Sequence, residues 1–184
     1  GLSSIITYQW RKRGGKLLIA YTAPFVLLGW ATLLFASPSP SGFVEADPLY
    51  ALARGVGQIF LLDQPLAGLL IMVGMFIANP YAAMWAVIGS AIGGGVALLA
   101  DHAQAAWLGL YGFNAALAAL AFSRQGEKPW VTLLAIALAL LLQPVFTLLP
   151  VAGLTAPFVA ACWLMHAGNH LAQPRQRNAS RLHS

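Results

Sequence analysis

Long apolar runs separated by short polar or Pro/Gly-rich breaks organise the 184-residue chain. Residues 17–36, 48–62, 66–78, 81–100, 130–149 and 154–171 read as apolar helices, most near the ~20 residues that one bilayer crossing needs. Proline and glycine in Ser37-Pro38-Ser39-Pro40-Ser41-Gly42 stop the first run, and Asp63-Gln64-Pro65 and Asn79-Pro80 stop the next two. Pro48 suits the first turn of the helix it opens. One run differs. Residues 103–122 are interrupted by Gly109, Gly112 and Asn114, so an unbroken crossing is not expected there. Leu/Ala-rich runs of this length are too long for the alternating strands of a barrel, which leaves an all-α class.

Composition turns these helices into a membrane protein. Hydrophobic residues make up 59% of the chain and charged residues 8%, against about 25% charged in a soluble domain. Such a chain cannot cover itself with polar groups, so its surface faces lipid. The net charge of +5 comes from cations at segment ends and in the tail. That placement sets topology and does not suit nucleic acid. Arg11, Lys12, Arg13 and Lys16 mark a cytoplasmic loop, and so do Arg124 and Lys128. The count of crossings agrees with both only if 103–122 enters the membrane and returns on one side. The expected fold is a polytopic protein of about six crossings plus that re-entrant segment, with the C-terminus cytoplasmic. Broken backbone survives at membrane depth only when buried in protein or facing a polar cavity, so 103–122 is the first place to seek a pathway.

A repeat adds to this. Tyr21-Thr22-Ala23-Pro24-Phe25 returns as Leu154-Thr155-Ala156-Pro157-Phe158, each time opening an apolar run with threonine at the N-cap and proline in the first turn. Chance reuse of a helix start is one explanation and duplication the other. By the topology count the copies run in opposite directions, as in inverted-repeat transporters. Gly89, Ser90, Gly93, Gly94 and Gly95 place small residues where helices pack closely.

The candidate chemistry is uncharged. Asp63 and Asp101 sit at helix ends, and Glu45, Asp47 and Glu127 lie in loops. Ion-coupled carriers usually hold ionisable groups at membrane depth, so their lack favours passive movement of a neutral solute. No paired carboxylates or nucleophile–base pair is evident, so no catalytic residues, and hence no enzyme, are expected. His166 and His170 are four residues apart but lack further ligands, and an interfacial position is preferred over a metal site. The lone cysteine, Cys162, excludes a disulfide framework within the chain. No cofactor is expected. Gln104, Gln143 and Asn169 read as interfacial or satisfied between helices. Gln58, Asn114 and Thr155, beside Phe60, Phe113 and Leu117, would offer hydrogen bonds and flat apolar walls without fixed charge. Such a lining suits a small planar amide better than an ion, which would lose its hydration uncompensated. The opening Gly-Leu-Ser-Ser shows neither an initiator Met nor a signal peptide, and a piece of a longer product is expected.

Four ordered motifs resemble the urea transporter family: Gly55-Val56-Gly57-Gln58-Ile59-Phe60, Gln64-Pro65-Leu66-Ala67-Gly68-Leu69-Leu70, Gly109-Leu110-Tyr111-Gly112-Phe113-Asn114-Ala115-Ala116-Leu117, and Leu154-Thr155-Ala156-Pro157-Phe158. The resemblance implies two inverted halves around one urea pore per protomer and a homotrimer in the membrane, for which a bacterial inner membrane is expected. It assigns Gln58 to the mouth, Phe113 and Leu117 to the slot wall, and Thr155 with Thr22 to the paired threonines at mid-pore; Phe60 stands beside Gln58. The family's aromatic position three after Gln58 is Leu61 here. On this reading residues 1–36 end a first repeat, 37–47 form an external loop, 48–172 form the second repeat and 173–184 a cytoplasmic tail. Facilitative, uncoupled passage of urea is the expected activity. The alternatives are a channel for a short amide, ammonia or water, or a truncated module that does not conduct.

Overall fold

In a computed structural model, the described residues are 5, 6, 8, 9, 21–33, 47–58, 65–123, 128–148 and 153–181. Among them the regular structure is helical: α1 (Ala23–Leu33), α2 (Pro48–Gly57), α3 (Pro65–Ala78), α4 (Pro80–Leu99), α5 (Ala103–Trp107), α6 (Gly112–Phe122), α7 (Pro129–Thr147) and α8 (Ala156–Arg181). Proline in the first turn starts several of them, where a missing N–H costs nothing. Asp47 caps α2 by accepting from Leu49 N (2.8 Å) and Tyr50 N (3.2 Å). Asn79 caps α4 through Ala82 N at 3.1 Å. These are the short polar side chains that satisfy orphan helix-end donors.

Three boundaries depart from the sequence reading. Within the run expected over 17–36, residues 21–33 are described, and the helix Ala23–Leu33 follows a turn at Tyr21 and Thr22. Tyr21 has φ +40, a left-handed conformation that a helix cannot continue through. The run expected over 48–62 ends as a helix at Gly57 with Gln58 as its cap, and residues 59–64 lie outside the described set. The last helix runs to Arg181, past the boundary at Leu171 expected from hydropathy and into the stretch read as a tail. Hydropathy shows where lipid contact stops, and Ala, Gln and Arg in that stretch still favour helix.

Among the described residues two helices are long and apolar enough to cross a bilayer, Pro80–Leu99 and Pro129–Thr147; Gly68–Ala78 and Gly112–Phe122 are shorter apolar helices. The count of six crossings therefore stays an expectation. The outer surface is apolar, with Ile77 81%, Leu99 91% and Leu148 85% exposed, the inverse of a water-soluble exterior.

The interior is built on alanine. Ala118, Ala135, Ala139, Ala161 and Cys162 pack with Phe158 in one cluster, and Trp85, Tyr111, Ala115, Ala119 and Ile136 in another. Small side chains let helix axes approach closely where lipid supplies no hydrophobic drive for association. The most extensive seam among the described helices joins α4 and α6. A Cβ on Gly93 would lie 2.6 Å from Tyr111 O and 2.8 Å from Gly112 Cα, so only glycine fits. Gly94 and Gly95 have nothing within 4 Å of a Cβ position and take no part in that packing, contrary to the expectation that the whole glycine run would pack.

The interrupted stretch is broken where the glycines predict. After α5, Leu108 to Tyr111 form a turn with Gly109 at φ +72, and α6 restarts at Gly112. The turn lies against α2, where a Cβ on Gly109 would meet Gly55 N at 2.6 Å. This break sets the N-terminus of α6, and with it Phe113 and Asn114, inside the protein, both of them buried.

Candidate functional site

Two helix starts meet at the centre of the site. Leu154 has φ +45 and Tyr21 φ +40, and a threonine follows each. Thr22 O accepts from Phe25 N and Val26 N, both at 3.0 Å, and Thr155 O accepts from Val159 N at 3.0 Å, so each threonine carbonyl opens its helix. The side chains were expected to cap these same helices. They do something else: Thr22 Oγ1 and Thr155 Oγ1 are hydrogen-bonded to each other at 2.8 Å.

The capping role at α8 passes to Asn114. Its side chain is fully buried, and its Oδ1 accepts from Phe158 N (3.3 Å), a first-turn donor of α8. Its Nδ2 donates to Leu154 O (3.1 Å) and to Gln143 Oε1 (2.9 Å). One amide from the α6 start thus holds the left-handed residue, the helix behind it and a glutamine on α7. Left-handed backbone costs a non-glycine residue roughly 1–2 kcal/mol. The bond to Leu154 O offsets part of that.

These residues surround a cavity of about 270 Å³. Phe25, Phe113 and Phe146 supply aromatic walls, Leu110 and Leu154 aliphatic ones, and Gln58, Gln143, Thr147 and Thr155 the polar side chains. None of the described lining residues is ionisable. The volume falls just below the ~300–1,000 Å³ typical of small-molecule pockets, which suits a solute of a few heavy atoms. Pro144, inside α7 and next to Gln143, lacks the N–H that Leu140 O would otherwise accept. Thr147 Oγ1 donates to Pro144 O at 2.7 Å.

Of the site residues expected from sequence, Gln58, Phe113 and Thr155 line this cavity, and Thr22 joins it through Thr155. Leu117 does not line it; it packs against the alanine cluster around Ala118 and Phe158. Phe60 and Leu61 lie outside the described residues. Gln143 was read as a glutamine satisfied between helices. It is bonded to Asn114, but it also lines the cavity. Its signal was available in the sequence, since a Gln-Pro pair interrupts the apolar run 130–149. His166, expected at the interface, packs inward: its Nε2 is 2.5 Å from Tyr21 OH, and its ring lies against Tyr21 and Phe122. Arg54 stands in the last turn of its helix, where a cation favours the C-terminal end. It sits within α2, half-buried, with Nη1 donating to Trp107 O at 3.4 Å.

Among the described residues, a helical fold with an apolar exterior surrounds an uncharged inner cavity, as expected of an integral membrane protein. The family model described as Urea transporter matches residues 36–170. Urea transporter 1 of the rat (Rattus norvegicus) is 29% identical over 151 residues, covering 80% of this chain and 38% of the rat protein. Urea transporter 1 of the mouse (Mus musculus) is 31% identical over 98 residues, covering 51% of this chain and 26% of the mouse protein. The sheep (Ovis aries) protein of the same name is 30% identical over 98 residues. The chain belongs to the urea transporter family. It spans well under half the length of these relatives.

Proposed function

We propose that the protein lets urea cross the bilayer passively, through a slot of which the described cavity is part. The observation that carries this reading is the Thr22–Thr155 hydroxyl pair beside an uncharged, aromatic-walled cavity. Urea is flat, with one acceptor oxygen and two donor NH2 groups. Phe25, Phe113 and Phe146 fit its faces, and the Thr and Gln side chains replace water at its edge. An ion in the same place would lose its hydration without a countercharge. No ionisable group lines the described cavity, which favours passage uncoupled from proton movement. The two Thr-Ala-Pro-Phe starts are halves of an inverted repeat, supported by their shared left-handed residue and their mutual bond. The break at Leu108–Tyr111 supports reading 103–122 as re-entrant, with Arg124, Lys128 and the C-terminus on the cytoplasmic side by the positive-inside rule. A homotrimer in a bacterial inner membrane completes the reading, and it rests on the family resemblance.

The test is urea entry into proteoliposomes holding the protein as its gene encodes it, followed by light scattering. Saturable entry above protein-free vesicles is expected, with formamide and acetamide as competitors. Entry equal to that of empty vesicles contradicts the reading. If water or ammonia moves while urea does not, the channel serves another neutral solute.

A further inference from the structure

The amide network around Asn114 determines which end of Gln143 faces the cavity. Phe158 N can only donate, so the Asn114 atom facing it is Oδ1. Asn114 Nδ2 is then the end that reaches both Leu154 O and Gln143, and Leu154 O can only accept. The Gln143 atom that receives the second Nδ2 hydrogen is therefore Oε1. That leaves Gln143 Nε2, with two N–H donors, as the free end of the side chain. Gln143 is 7% exposed and lines the cavity, and Nε2 has no protein partner among the described residues. An amide donor with both hydrogens unmatched is costly to bury unless something accepts from it.

We propose that Gln143 Nε2 holds the carbonyl oxygen of the passing solute, making Gln143 a specificity-determining residue of the slot. The proposal rests on the urea reading and deepens it. The backbone network presets the donor: two of its fixed points, Phe158 N and Leu154 O, belong to main chain and cannot flip. With the carbonyl oxygen on Gln143, the NH2 groups of urea turn toward the oxygen of Thr155, which lines the same cavity. The site therefore selects solutes that carry an acceptor oxygen beside N–H donors. Thiourea, whose sulfur accepts hydrogen bonds weakly, is discriminated against at this point.

Gln143→Glu separates this role from a structural one. The substitution keeps the size of the side chain and an acceptor for Asn114. It replaces the Nε2 donor by an oxygen that donates only when protonated. None of the other residues lining the cavity, from α1, the cap of α2, the turn before α6, α6, α7 and the turn before α8, is ionisable. Urea entry is measured between about pH 5 and 8, the range into which burial lifts a carboxyl group. Wild-type entry is expected to be flat with pH. The Glu variant is expected to lose roughly 3- to 10-fold at the high-pH end and recover as pH falls, on the scale of one neutral hydrogen bond. Its urea-to-thiourea ratio should fall along with urea entry. Urea entry in the variant that equals wild type across the range, or that drops as pH falls, overturns the proposal. Saturable wild-type entry alongside such a result leaves the urea reading standing; absent wild-type entry overturns both.

Discussion

Asn114 is a hub of the described interior. It satisfies a backbone donor, a backbone acceptor and a side-chain acceptor at once, all in the interior. Asn114→Leu would fill the volume and strand all three partners. At about 1–3 kcal/mol for each unsatisfied buried group, a loss of about 3 kcal/mol or more is expected. The melting midpoint in detergent should then drop by roughly 6–12 °C for a chain of this size. A drop of a degree or less would show that the network contributes little. Thr155 makes the smaller prediction. Thr155→Val keeps the shape and removes the bond to Thr22, so urea entry should fall roughly 2- to 10-fold with folding intact. Light-scattering rates together with a size-exclusion profile check this. Much of the site was legible residue by residue. Gln58, Phe113 and Thr155 stand in recognisable motifs, and all three reach the cavity. Leu117 packs beside the cavity wall against the cluster around Ala118 and Phe158, because an i, i+4 relation to Phe113 shows that two residues can share a face and not how far that face extends. The Asn114–Gln143 pairing was not legible at all, since it joins residues 29 positions apart through an orientation that only the fold supplies.

At the scale of elements, periodicity and punctuation located most helices, and the errors lie at their ends. Proline and Asx residues mark the starts of α2 and α4. Gly109 marks the break before α6. The interruption before α1 was not foreseen, because hydropathy does not register a left-handed residue such as Tyr21 inside an apolar run. The glycine run of α4 gives a prediction with its own control. Gly93→Ala pushes a methyl group into the Tyr111 and Gly112 backbone, which no rotamer change can relieve. A cost of about 1–3 kcal/mol is expected. Gly95→Ala meets nothing within 4 Å and should be neutral, or stabilising by up to about 1 kcal/mol through helix propensity. Thermal unfolding of both variants in the same detergent decides the matter. Equal midpoints would mean that the α4–α6 seam yields more easily than its geometry indicates.

The whole molecule adds a relation that no single helix contains. Thr22 and Thr155 are 133 positions apart, yet each follows a left-handed residue, each starts a helix with Ala-Pro-Phe, and their hydroxyls meet. The sequence echo showed that the two segments are alike; only the fold shows that they touch. The family match over 36–170 includes Thr155 and puts the chain among urea transporters, and none of the described residues lining the cavity beside Thr155 is ionisable. Uncoupled passage is thus the central claim, and it has a direct test. Labelled urea is followed to steady state in proteoliposomes of the protein, with and without imposed proton and sodium gradients. Equal urea concentrations inside and outside under every condition, reached faster than in empty vesicles, is the predicted result. Accumulation of urea above the external concentration under either gradient would contradict it.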